Sequence, residues 1–245
     1  MSPYIKEVSQ AGCRLMARAI LLLVLATFNN LPARAADPST VIPAPTFDPP
    51  QASSEGLSTA VLAGGCFWGV QGVFQHVKGV ESAISGYAGG DKTLAHYLDV
   101  SSGRSGHAES VEVIFNPRIV TYGQILQIYF SVVHDPTQVD RQGPDVGTQY
   151  RSAIFYTDES QRTIAERYIA QLEQVHAFRQ RIATRLEPLQ AFYPAESYHQ
   201  DYLVLHPNSP YIAINDLPKV DNLRRLYKDL YRAEPKLVAG QQSSN

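Results

Sequence analysis

The sequence predicts an α+β fold, a two-layer split βαβ (ferredoxin-like) sandwich with extra C-terminal elements. Three observations predict it. The elements run strand, helix, strand, strand, helix, strand, the order that lets helices cover one face of a mainly antiparallel sheet. The stretches Cys66 to Gln75 and Tyr122 to Val133 carry apolar residues at helical spacing, as helices resting on a sheet require. About 175 residues lie between a proline-rich stretch and a polar tail, enough for one domain with a substantial core.

Leu57 to Ala63 is of strand type and runs into Gly64-Gly65, after which Cys66 to Gln75 has helical apolar spacing. Gly79 to Gly86 is a second strand, ended by Ala88-Gly89-Gly90. In residues 108–115, Val111, Val113 and Phe115 share one face with Glu112 on the other, the alternation of a half-buried strand, and Asn116-Pro117 closes it. Tyr122 to Val133 carries Ile125, Leu126, Ile128, Tyr129 and Val132 at helical intervals. Arg151 to Tyr156 is a strand, and Asp158 to Gln174 a helix with Asp158 or Thr157 as its N-cap. Ile182 to Leu189 is expected as a strand and Pro218 to Tyr231 as a final helix with proline near its start.

The flanks read differently. Lys6, Arg14 and Arg18 precede an apolar run from Ala19 to Phe28, followed by Leu31-Pro32-Ala33-Arg34-Ala35-Ala36, which is the layout of an export signal cleaved after Ala35 or Ala36. The apolar run is too short to span a bilayer, so no stable membrane insertion is expected, an uncleaved anchor being the alternative. Residues 37–57 hold a cluster of prolines and read as an extended linker, 58–232 as the folded domain and 233–245 as a loose tail. The whole chain has 21 Lys+Arg and 23 Asp+Glu. Without residues 1–36, which hold Lys6, Arg14, Arg18, Arg34 and Glu7, it has 17 basic and 22 acidic residues, a net charge of −5. The basic residues are dispersed, which excludes a nucleic-acid footprint of the usual kind. A periplasmic or secreted monomer is the expectation.

Cys13 lies in the expected signal, so the exported chain keeps one cysteine, Cys66, and cannot form an internal disulfide. Set between a glycine turn and the start of a helix, Cys66 is placed where free backbone N–H groups favour a thiolate and lower its pKa. A buried structural cysteine is the competing reading. Gly106-His107-Ala108-Glu109 opens the third strand, where a desolvated Glu109 would have a raised pKa and could donate a proton; a solvated strand end is the alternative. The run from Gly143 to Ser152 is dense in turn formers and polar groups, so that Asp145 could orient a hydroxyl and Tyr150 donate a hydrogen bond, or both could merely build and pack a turn. His134-Asp135, His199 and His206 lack the spacing of a zinc site.

Five separated motifs, Gly64-Gly-Cys66-Phe67-Trp68-Gly69, Gly106-His-Ala-Glu109, His134-Asp-Pro-Thr-Gln138, Gly147-Thr-Gln-Tyr150-Arg-Ser152 and Tyr198-His199-Gln-Asp-Tyr202, together resemble the peptide methionine sulfoxide reductases of type A. The resemblance covers residues 58 to 230. It implies that Cys66 attacks the sulfur of a methionine S-sulfoxide, free or in proteins, leaving methionine and a cysteine sulfenic acid. Glu109 matches the family's proton donor, Tyr97 and Tyr150 its hydrogen-bonding tyrosines, and Asp145 a supporting polar residue. Phe67 and Trp68 match the pocket for the substrate's methyl group, and His199 is expected to support that pocket from behind. No bound cofactor or metal is implied. Many members carry further cysteines near the C-terminus that form a disulfide with the nucleophile, whereas Asn208 to Asn215 has none here. The resemblance therefore implies recycling by an external thiol: thioredoxin, glutaredoxin or a small thiol. Another cysteine-nucleophile enzyme, such as a thiol peroxidase, is the alternative.

Overall fold

A computed structural model describes residues 42–49 and 56–238. The chain divides into Met1–Asp37 and Pro38–Asn245, and the described residues all belong to the second unit. The expected export signal and Cys13 lie outside them. Among the described residues no helix is long and apolar enough to cross a membrane.

The strands are β1 (Ser58–Gly64), β2 (Val80–Ala88), β3 (Ala108–Phe115), the short hairpin pair β4 (Arg141–Gln142) and β5 (Asp145–Val146), β6 (Ser152–Tyr156), β7 (Arg185–Pro188) and β8 (Phe192–Pro194). The helices are α1 (Phe67–Gln75), α2 (Tyr97–Ser101), α3 (Tyr122–Ile128), α4 (Glu159–Gln174), α5 (Tyr202–Leu205) and α6 (Leu217–Leu226). Six strands form one mixed sheet in the order β7-β6-β1-β3-β2-β8. β3 lies between β1 and β2 and is antiparallel to both, and β6 is antiparallel to β1 on its other side. The sheet is wider than the four strands of a split βαβ unit, since β7 adds in parallel to β6 and β8 adds antiparallel to β2.

Period-2 alternation divides the sheet's side chains between two layers. Ala60, Leu62, Val111, Val113, Phe115 and Ile154 join the main core beneath the helices. Val61, Ala63, Ala88, Ala108, Ala153 and Phe155 face the other way and are covered by Leu189 and Phe192. Ala88, Ala108 and Ala153 are fully buried in that second layer.

α3 begins with a capping box between Thr121 and Gln124 and does not continue as a plain α-helix to Val133; residues Tyr129–Val133 form a π turn. The cause is local. His134 Nδ1 donates to the Tyr129 carbonyl at 3.1 Å, and His134 Nε2 accepts from Ser152 Oγ at 2.7 Å. Tyr129 in turn donates to the Ala63 carbonyl at 2.7 Å, so this buried network ties the end of β1 to β6 and α3. Burial pushes the His134 pKa down to about 3, and both of its ring nitrogens are used within the chain.

Two flanking segments differ from expectation. The proline-rich stretch read as a linker docks over residues 42–49: Ile42 is buried, Tyr168 donates to the Pro43 carbonyl at 2.7 Å, and Gln171 Oε1 accepts from Thr46 N at 2.8 Å. Asp48 accepts from Gly123 N at 3.0 Å and from the Thr121 hydroxyl, placing a negative charge at the N-terminus of α3. Proline content reports the extended backbone of this strap; its hydrogen-bond partners lie on α3 and α4, far away in sequence. Arg232 N, at the end of the expected domain, donates to the His76 carbonyl at 2.7 Å, and the start of the tail read as loose binds beside it, with Lys236 N donating to the Gln75 carbonyl at 3.0 Å. These bonds occupy carbonyls that the end of α1 leaves free. Residues 239–245 lie outside the described residues.

Candidate active site

Cys66 is the N-cap of α1 and 8% exposed. The chain reaches it through Gly65 at φ +89°, a left-handed conformation that favours glycine, and a Cβ at Gly65 would also lie 2.6 Å from Gln142 Cβ. Gln142 stands on β4 and is itself fixed by two bonds to the Asp135 backbone, so the hairpin closes over the glycine turn.

Glu109, near the start of β3, is 3% exposed and accepts a hydrogen bond from Phe67 N at 3.1 Å. The carboxyl and the cysteine thus share the first turn of α1. Burial, offset in part by the Phe67 N–H, pushes the Glu109 pKa up to about 8, and Asp145 and Asp216 add to the rise. At neutral pH this is a carboxylic acid holding its proton.

The thiol differs from the sequence expectation. A helix N-terminus by itself lowers a thiol pKa, yet the Cys66 thiol is pushed well up, first by burial and then by the carboxylates of Glu109 and Asp216. The Trp68 N–H and the Lys219 cation act in the expected direction and are outweighed. The site therefore pairs a neutral thiol with a neutral acid.

Aromatic rings wall this pair. Phe67 is buried, with its ring centroid 5.9 Å from Tyr87 and 5.0 Å from His199. Trp68 is half-buried, stacks on Tyr202 at 3.9 Å, meets Tyr211 edge-on at 5.9 Å and donates from Nε1 to His199 Nδ1 at 3.2 Å. Because an indole N–H can only donate, His199 presents a lone pair at Nδ1 and carries its proton on Nε2, which is buried without a partner among the described residues. Burial lowers the His199 pKa, which keeps that neutral form. Gln71 and Gln200 hold the His199 loop onto α1, through Gln71 Nε2 to Gln200 Oε1 at 2.8 Å and Asp201 N to Gln71 Oε1 at 2.9 Å.

The other expected residues converge on the same place. Tyr97 begins α2, and Tyr150 ends a short turn before β6; both hydroxyls are held protonated, by burial first and then by Glu109. Asp145, on β5, accepts from the Tyr211 hydroxyl. Arg151 braces these loops from behind, bonding the Thr148 carbonyl, the Gly106 carbonyl and Glu187.

Several residues of the site carry no functional signal in the sequence. Tyr87 donates to Glu196 Oε2 at 2.9 Å and Tyr97 N donates to Glu196 Oε1 at 3.0 Å, so Glu196 aligns two aromatic residues. Tyr211 lies in the stretch notable in the sequence only for lacking cysteine. Asp216 and Lys219 look like the start of the last helix, with Pro218 between them, and only the packing of that helix on α1 brings them near Cys66.

A buried thiol beside a protonated carboxylic acid, enclosed by aromatic rings on an α+β scaffold, defines a cysteine-dependent oxidoreductase class. Comparison with known proteins names the family within it. A sequence profile described as "Peptide methionine sulfoxide reductase" matches residues 58–230. "Peptide methionine sulfoxide reductase MsrA 2" of Mesorhizobium japonicum is 58% identical over 186 residues, 76% of this chain and 95% of that one. A protein of the same name from Synechocystis is 49% identical over 198 residues, 80% of this chain and 92% of that one. Among solved structures, methionine sulfoxide reductase A of Corynebacterium diphtheriae aligns with a TM-score of 0.55 at 34% identity, covering 66% of this chain and 84% of that one. Reduced Mxr1 of Saccharomyces cerevisiae aligns with a TM-score of 0.56 at 29% identity, covering 69% and 94%. The chain belongs to the peptide methionine sulfoxide reductase family.

Proposed function

We propose that the protein reduces methionine S-sulfoxide, free or in proteins, through Cys66, and that an external thiol restores the enzyme. The observation that carries the reading is the Glu109 carboxyl, buried, protonated at neutral pH and bonded to the backbone N–H next to Cys66. A sulfoxide oxygen is a poor leaving group. A neutral acid placed beside the attacking sulfur supplies the proton that it needs as the S–O bond breaks.

The atoms balance simply. The sulfur of Cys66 bonds to the substrate, Glu109 gives its proton to the oxygen, and the thiol proton replaces the one Glu109 lost. The protonated oxygen then passes from the substrate sulfur to Cys66 Sγ as the S–O bond and the new S–S bond break, which leaves a cysteine sulfenic acid and methionine. A first external thiol then forms a mixed disulfide with release of water, and a second frees Cys66 as a thiol. Thioredoxin, a glutaredoxin or a small thiol fits this role, because among the described residues Cys66 is the one free cysteine. Tyr97 and Tyr150 would orient the oxygen with their hydroxyls, while Phe67 and Trp68, backed by His199, would hold the methyl group.

Export follows as a proposal from the basic, apolar and small-residue order of the first 36 residues, and a monomer from the absence of any need for a second copy to complete the site. The order β6-β1-β3-β2, with its alternating directions, supports reading the centre of the sheet as a ferredoxin-like split βαβ unit. The test of function is incubation with each sulfoxide epimer and a dithiol, scored for methionine, with peroxide consumption as control. Methionine formed from the S epimer alone is expected; peroxide consumption without methionine would replace this reading by a thiol peroxidase.

A further inference from the structure

The last helix sets an ion pair on the first turn of α1 that the steps above do not use. Asp216 is wholly buried, its Oδ1 lies 3.0 Å from Lys219 Nζ, and its Oδ2 is buried without a hydrogen-bond partner among the described residues. Gly69, one turn beyond Cys66, makes this approach possible: a Cβ there would overlap Asp216 Oδ1 and lie 2.8 Å from Lys219 Nζ. The carboxylate therefore rests on the helix turn that presents the thiol.

The charged and titratable groups around Cys66 are Glu109 on β3, Tyr97 on α2, Asp145 on β5, Tyr150, Tyr211, and the pair Asp216 and Lys219. The tyrosines stay protonated at pH 7, and so for the most part does Glu109. Once Glu109 is neutral, the next carboxyl acting on the sulfur is Asp216, whose own pKa burial raises and Lys219 pulls back down; its effect on Cys66 is opposed by the weaker pull of Lys219. We propose that Asp216, pinned by Lys219 against Gly69, is a specificity-determining residue whose charge restrains Cys66 from reacting with small oxidants while leaving it reactive toward a sulfoxide held by Glu109.

The chemistry separates the two reactions. With hydrogen peroxide the cysteine sulfur forms an S–O bond as the O–O bond breaks; sulfur is oxidised by two electrons, and the departing oxygen leaves as water with the thiol proton. That reaction runs through the thiolate, the nucleophilic form of cysteine. With a sulfoxide, proton transfer from Glu109 activates the substrate, so attack is less dependent on a preformed thiolate. The inference rests on Cys66 being the nucleophile of the proposed function, which sulfoxide turnover by the unaltered chain tests separately.

The experiment measures iodoacetamide alkylation and peroxide oxidation of Cys66 against pH in the unaltered chain and in Asp216→Asn, with folding checked by circular dichroism. Alkylation and peroxide rates at pH 7 should rise about threefold to tenfold in the variant, since well below the thiol pKa the thiolate fraction grows in proportion to the acidity constant. The kcat/KM for sulfoxide should rise less than the peroxide rate. Equal rates in a folded variant would overturn the inference. A second measurement needs no variant: the alkylation midpoint of the unaltered chain should lie above that of N-acetylcysteine run alongside, and a midpoint at or below it would also overturn the inference.

Discussion

Glu109 concentrates the chemistry of the site in one proton. Because its pKa is about 8, kcat/KM for sulfoxide should fall above that pH as the acid is lost, and a profile measured from about pH 6 to 10 should show the limb. Glu109→Gln keeps the bond from Phe67 N but has no proton to give, so the rate should drop about 10² to 10⁴-fold and the alkaline limb should vanish. The same group links pH to stability. Its pKa in the fold is raised from the ordinary 4.5, so the stability it contributes is fully present below that value and is lost as pH rises through about 8. Thermal unfolding from about pH 5 to 9 should therefore show Glu109→Gln gaining on the unaltered chain as pH rises. Cys66→Ser should abolish turnover at every pH while retaining the fold, because a serine hydroxyl stays protonated and is a poor nucleophile toward sulfur.

At the level of elements, two braces decide how well these groups are held. Arg151 is buried, and its guanidinium joins the loop ahead of β3 to the turn ahead of β6. Arg151→Met should cost about 3 kcal/mol in denaturant unfolding, the low end for breaking a buried pair, because Glu187 stays partly in water. Asp48→Ala should cost about 1 kcal/mol, the usual loss of a helix N-terminal acceptor, with turnover unchanged. The strap that carries Asp48 also marks the line between what the sequence reveals and what it hides. β3 is legible residue for residue from Val111, Glu112 and Val113, because a strand's period is written in neighbouring side chains. The strap is not, since Ile42 and Asp48 are fixed by α3 and α4. The site divides in the same way: Cys66 and Glu109 stand in short motifs, whereas Asp216 becomes a neighbour of Cys66 only when α6 packs on α1. Even the ionisation of Cys66 escapes a reading of its motif, because a helix N-terminus is a local feature and burial is not.

On the scale of the whole molecule, the described residues contain a single sulfhydryl and no second one to resolve it. Without reductant, one equivalent of methionine should form per enzyme, and intact-mass analysis should find one added oxygen; continued turnover would mean that another group discharges the sulfenic acid. A small thiol should convert that species to a mixed disulfide before activity returns. The chain also holds one tryptophan, Trp68, stacked on Tyr202 and bonded to His199 beside the nucleophile. All of the protein's indole emission thus arises at the pocket wall. Entry of a sulfoxide, oxidation of the neighbouring sulfur and departure of methionine can each be followed as a change in intrinsic fluorescence, with no label attached and no background from elsewhere in the fold.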